Sequence, residues 1–152
     1  MDGLIFRVPI QGHTQKLPHP HVVLIELDKE CWLVPAFGDA GPEVEMLLRG
    51  LERLGFNRQD VAVHLDNSEH VRFQSGFTGK TAYWVVARAL KVTKAHLTVH
   101  PQIGQMDDAG LLAIAEAMDR LAKAYPAFAS PSLQKKVKKL IKTLRGRMGL
   151  HN

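Results

Sequence analysis

Eight histidines are the side chains of this 152-residue chain best placed to do chemistry near neutral pH, where imidazole exchanges protons and binds metals. His19 and His21 stand two apart in a strand-like segment, and His64 and Asp66 repeat that spacing, so each pair presents both groups to one face of an extended chain. With His70, His96 or His100 drawn in, such a face would offer imidazole and carboxylate ligands to zinc. Dispersed histidines more often serve surface hydrogen bonding or partial burial, and spacing alone does not converge these. No metal and no other cofactor is expected. The run GFTGKT, residues 76 to 81, comes nearest to a nucleotide loop. Only Phe77 and Thr78 separate its first glycine from Gly79-Lys80-Thr81, whereas a phosphate-wrapping loop needs four residues there. A flexible turn with Lys80 in solvent is the better reading.

Cleaving nucleic acid without a metal requires cations to hold phosphate and a group that moves a proton at the ribose hydroxyl or the leaving oxygen. Arg7, His13, Lys16, His19 and His21 form one local set, and Arg72, Lys80, Thr81 and Arg88 a second that a small sheet could bring beside it. Arg7, Lys16 and His21 are the expected catalytic residues. His13, His19, Lys80 and Arg88 are expected to contact RNA. The competing reading for each is a solvated or salt-bridged side chain.

The elements that must position these residues are read from periodicity. Leu4 to Val8, His21 to Leu27 and Cys31 to Phe37 are β-compatible, the last two joined by the polar Asp28-Lys29-Glu30 as in a hairpin. Gly12 to Pro20 reads as a longer loop able to cover a site. After Pro42, apolar residues at 44, 47, 48, 51 and 54 form a helical stripe that ends at Gly55. Val61 to Leu65 and Tyr83 to Val92 read as further strands. Asp107 opens a helix with Leu111, Ile114, Met118 and Leu121 on one face, stopped by Pro126, and Ser130-Pro131 starts another.

Composition narrows the class. Hydrophobic residues make up 45% of the chain and charged residues 23%, a balance that folds, and the length suits one compact core. One cysteine, Cys31, makes no intrachain disulfide, and neither a membrane-spanning run nor a signal-peptide start is visible, so a cytoplasmic location without integral membrane association is expected. The net charge of +5 is unevenly placed. Seven of the twenty basic residues and none of the fifteen acidic ones follow Ser130, which leaves −2 on the body and +7 on the tail. Leu133, Val137, Leu140, Ile141 and Leu144 make an apolar stripe in that tail, and Lys135, Lys136, Lys138, Lys139, Lys142 and Arg145 decorate the rest. Packing on its own domain, a second subunit, RNA phosphates, an acidic protein or an anionic membrane are its readings; Lys135, Lys138, Lys139 and Lys142 are the expected RNA contacts.

In order, Gly3-Leu4-Ile5-Phe6-Arg7-Val8, His19-Pro20-His21-Val22-Val23-Leu24, Trp32-Leu33-Val34-Pro35-Ala36-Phe37, Ser68-Glu69-His70, Ala82-Tyr83-Trp84-Val85-Val86, Ala89 to Leu97 and Ile103-Gly104-Gln105-Met106 resemble the MazF/PemK-like toxin family over roughly residues 3 to 124. The resemblance implies a compact SH3-like β-barrel with helices; joined to the helices read above from periodicity, it gives the expected class, α+β, a compact SH3-like β-barrel with an inserted helix and C-terminal helices. It divides the chain into a MazF/PemK-like domain, 1–126, and a basic amphipathic helical extension, 127–152. It also implies a homodimer, an antitoxin partner, and metal-independent cleavage of single-stranded RNA. The pattern departs in three places, one of them an insertion from Asp39 to Arg58, with its apparent helix, that could cover, extend or replace an RNA groove. The basic residue expected directly before the second-strand proline is matched by Lys16 only after a shift, and Ala36-Phe37-Gly38 lacks the hydroxyl expected after the third strand. A noncatalytic nucleic-acid-binding or protein-interaction module on the same barrel is the alternative.

Overall fold

The computed structural model describes residues 1–9, 19–39, 41–74 and 81–150. Its centre is the antiparallel trio β1 (Leu4–Val8), β2 (His19–Glu26) and β3 (Glu30–Gly38). The β2–β3 connection closes tightly, with the Leu27 N–H donating to the Glu30 carbonyl at 2.8 Å. Helix α1 (Pro42–Arg53) and the short α2 (Arg58–Val61) are inserted before β4 (Val63–Asp66). A four-residue turn of helix, α3 (Asn67–His70), leads into β5 (Val71–Phe73).

The expected strand Tyr83 to Val92 is two strands, β6 (Thr81–Trp84) and β7 (Leu90–Thr93), divided by a 3-10 turn at Val86–Arg88. The reason lies in β3. Its first half, Glu30 to Leu33, pairs with β7, and its last residues, Ala36 to Gly38, pair with β6. A straight partner could not serve both stretches, so the chain steps off the ladder between them. The expected strand at Val61 to Leu65 likewise starts later, because Val61 closes α2. Helix α4 (Lys94–Leu97) and β8 (Gln102–Met106) complete the sheet.

Strand order is β4-β6-β3-β2-β1-β8-β5, with β7 also on β3. Register shifts between Val23 and Ile25 and between Ile5 and Phe6 mark bulges, which bend strands and increase twist. The result is a curled antiparallel sheet, a half-barrel whose ends, β4 and β5, are not paired to each other among the described residues. With its inserted and C-terminal helices it is the mixed α+β architecture anticipated from sequence.

One face of the sheet carries Ile5, Val22, Leu24 and Val34 against Leu111, Ile114, Met118 and Leu121 of α5 (Asp108–Ala124). Phe6, Val8, Val23 and Leu33 form a second cluster with Leu97 on the other face. Helix α6 (Pro131–Arg147) begins at Ser130, whose hydroxyl accepts from the Leu133 N–H at 3.2 Å. Its Leu133, Val137, Leu140 and Leu144 join the main core. Fully burying each such side chain contributes about 1.5–3 kcal/mol. No helix among the described residues is long and apolar enough to cross a membrane.

Candidate functional site

Three candidate regions emerge. The first is the end of β1 and β2, where Arg7 pairs in register with Pro20, Val8 with His19 and Phe6 with His21. Alternation along β1 then places Arg7 on the face opposite both histidines. His21 is fully buried, and its Nδ1–H donates to the His19 carbonyl at 2.8 Å. Burial pushes this imidazole down to about 4, against the opposing pull of that hydrogen bond. Its Nε2 has no partner among the described residues. Sealed and neutral, His21 is not presented to a bound strand, and Arg7 and His21 do not form one catalytic set. His19 is more open, with Nδ1 donating to the Ala36 carbonyl at 3.2 Å and its ring 4.9 Å from that of Phe37. Two other residues expected here, His13 and Lys16, lie outside the described residues, as does Lys80. Arg88 is exposed on the 3-10 turn, away from β1 and β2 in the pairing order.

The second region is the solvent side of α6. At about 100° per residue, Lys135, Lys138, Lys139 and Lys142 fall within a sector of about 100° opposite the buried Val137 and Leu144. All four are exposed, and none makes an ion pair among the described residues. The neighbouring arginines are engaged internally, Arg145 with Glu116 at 3.2 Å and Arg147 with Asp108 at 3.4 Å. Charge compensation therefore stops where the lysine face begins.

The third region was not apparent from spacing, since it joins residues 37 apart. Asp107 caps α5, its carboxylate accepting from the Gly110 N–H at 2.7 Å, and it also accepts from His70 Nδ1 at 3.1 Å. The sequence signal was present in part, because Asp107 reads as a helix opener, but nothing local tied it to His70. A second imidazole–carboxylate contact, His64 Nε2 to Asp39 at 2.9 Å, joins β4 to the end of β3, and Thr81 donates to the same carboxylate at 2.5 Å. Those two contacts hold the Asp39 carboxyl below the usual carboxylate range. His64 and Asp66 thus have separate partners, the latter accepting from Ser68 at 2.6 Å. Among the described residues no three His, Cys, Asp or Glu side chains converge as a metal site.

No protein-family model and no curated protein matches the chain.

Proposed function

We propose that the protein is a toxin-like, metal-independent endoribonuclease of the MazF/PemK pattern, which binds single-stranded RNA on the lysine face of α6 and is restrained by an antitoxin protein. The observation that carries RNA binding is the uncompensated set Lys135, Lys138, Lys139 and Lys142 on one exposed helical face. Their row spans about 10 Å, matching a run of successive phosphates rather than a single anion. The cleavage reading is supported by the first three resembling segments falling on three adjacent antiparallel strands, β1, β2 and β3. Homodimerisation in the cytoplasm belongs to the same reading.

Fluorescence anisotropy with single-stranded RNA between 50 and 200 mM salt tests the first half. Replacing the four lysines by glutamine is expected to lower the log–log salt slope by about 3, at roughly 0.7 per single-strand phosphate contact. An unchanged slope rejects the lysine face. Denaturing gels of varied RNAs, with chelator and with divalent ions, test the second half. The sealed His21 and the opposed Arg7 favour the noncatalytic module as the second reading, and binding without product on those gels selects it.

A further inference from the structure

A cleft of about 380 Å3 opens between β5, β8 and the start of α5, lined by His70, Arg72, Gln105 and Asp107 together with Ser68 and Glu69. The β5–β8 register sets Arg72 directly across from Gln105, so both side chains share a face. His70 is locked from two directions. Its Nδ1 lies 3.1 Å from the Asp107 carboxylate, and its carbonyl accepts from the Asp107 N–H at 2.7 Å. Anchoring Nδ1–H in this way leaves the lone pair on Nε2, the arrangement a proton acceptor requires. Gly110 permits the close approach, because a Cβ there would lie 3.1 Å from the His70 Cβ. Arg72 is exposed and makes no ion pair among the described residues. The Glu69 carboxylate stands 4.0 Å from Nε2, on a side chain 70% exposed.

Arg147 ties the end of α6 to Asp108, the neighbour of Asp107, about 7.5 Å along the helix axis from Lys142. Arg147 stands about 140° around the helix from Lys142, so this pair with Asp108 brings α6, and not its lysine face, to the start of α5.

We propose that this cleft is the site of phosphodiester cleavage in single-stranded RNA, with His70 as general base and Arg72 as the phosphate clamp; this rests on the endoribonuclease reading above. His70 Nε2 takes the proton of a ribose 2′-hydroxyl, and the 2′-oxygen forms a bond to phosphorus. The bond from phosphorus to the 5′-oxygen breaks with its electron pair on that oxygen. Water protonates the 5′-oxygen, and the hydroxide so formed is neutralised by the proton held on His70. The products are a 2′,3′-cyclic phosphate and a 5′-hydroxyl, with no change in oxidation state. Arg72 and the Gln105 amide donate to the non-bridging oxygens as charge builds on them.

Asp107 also caps a helix, so a merely structural role for the His70 pair must be separable. His70→Asn does this, because the asparagine amide can keep the Nδ1–H-like contact to Asp107 while the Nε2 base is lost. The assay is steady-state cleavage of a labelled RNA in chelator, with product ends identified and thermal unfolding recorded in parallel. The wild-type protein is expected to leave cyclic phosphate ends. His70→Asn is expected to lower kcat at least 100-fold with little change in KM or melting temperature and to lose the acid limb of the pH–rate profile. Arg72→Gln is expected to lower kcat as well, with the pH profile kept. Wild-type cleavage by His70→Asn overturns this site and leaves the endoribonuclease reading standing. Binding without any product from the wild-type protein overturns both.

Discussion

His21 and His70 begin from the same chemistry and end in opposite states. Both anchor Nδ1 on an oxygen, His21 on a backbone carbonyl and His70 on a carboxylate. His21 lies wholly inside, and desolvation keeps it uncharged until about pH 4. His70 is a quarter exposed and lines an open cleft beside an uncompensated arginine. The contrast separates the capacity for proton transfer, which residue type confers, from the opportunity, which burial grants or withholds. Helix α6 repeats it over one turn, with Leu144 sealed in the core and Lys142 in water.

The sealed side gives the largest expected effect. Leu144→Ala should cost about 3 kcal/mol in urea unfolding, because the packed core around it relaxes only in part. A loss under 1 kcal/mol would mean that α6 is docked loosely.

Next comes the pH dependence of His21. In the unfolded chain it regains the ordinary value of 6.5 and in the folded chain it titrates near 4, so at pH 7 it is neutral in both states. As pH falls from 6.5 towards 4 the unfolded chain takes the proton first, and about 2 to 3 kcal/mol of stability is lost by pH 4.5. His21→Asn should flatten that part of the profile. Glu26, held down to about 2 by Lys94 and the amino terminus, acts lower, between 4.5 and 2. An unaltered slope between pH 6.5 and 4.5 in the variant would show that His21 is open to water.

On the open side, glutamine at the four lysine positions should weaken RNA binding about tenfold at moderate salt while leaving the melting temperature within a few degrees. Smallest is Asp107→Ala, expected to cost about 1 kcal/mol through the lost cap, read from the urea midpoint at pH 7.

The helices were legible because their signals are local: Ser130-Pro131, Asp107, and stripes at helical spacing stand in the text of the chain and reappear as α6, α5 and α1. The strands β2 and β3 were legible from their β-branched runs. The break between β6 and β7 was not, because it is imposed by β3, fifty residues away, and not by any glycine or proline at Val86–Arg88. Among site residues, the lysine face followed from charge and period alone. The burial of His21 and the meeting of His70 with Asp107 depend on strand pairing, which a linear pattern does not encode.

The double use of β3 sets an order of events in folding. Its pairing with β2 closes across a three-residue connection, whereas its pairings with β6 and β7 close loops of roughly fifty residues. Loop closure costs more entropy as the span grows, so the β2–β3 hairpin is expected to form early and the β6–β7 arm to dock late. On that order β3 is a strand with one edge guarded early and the other guarded last.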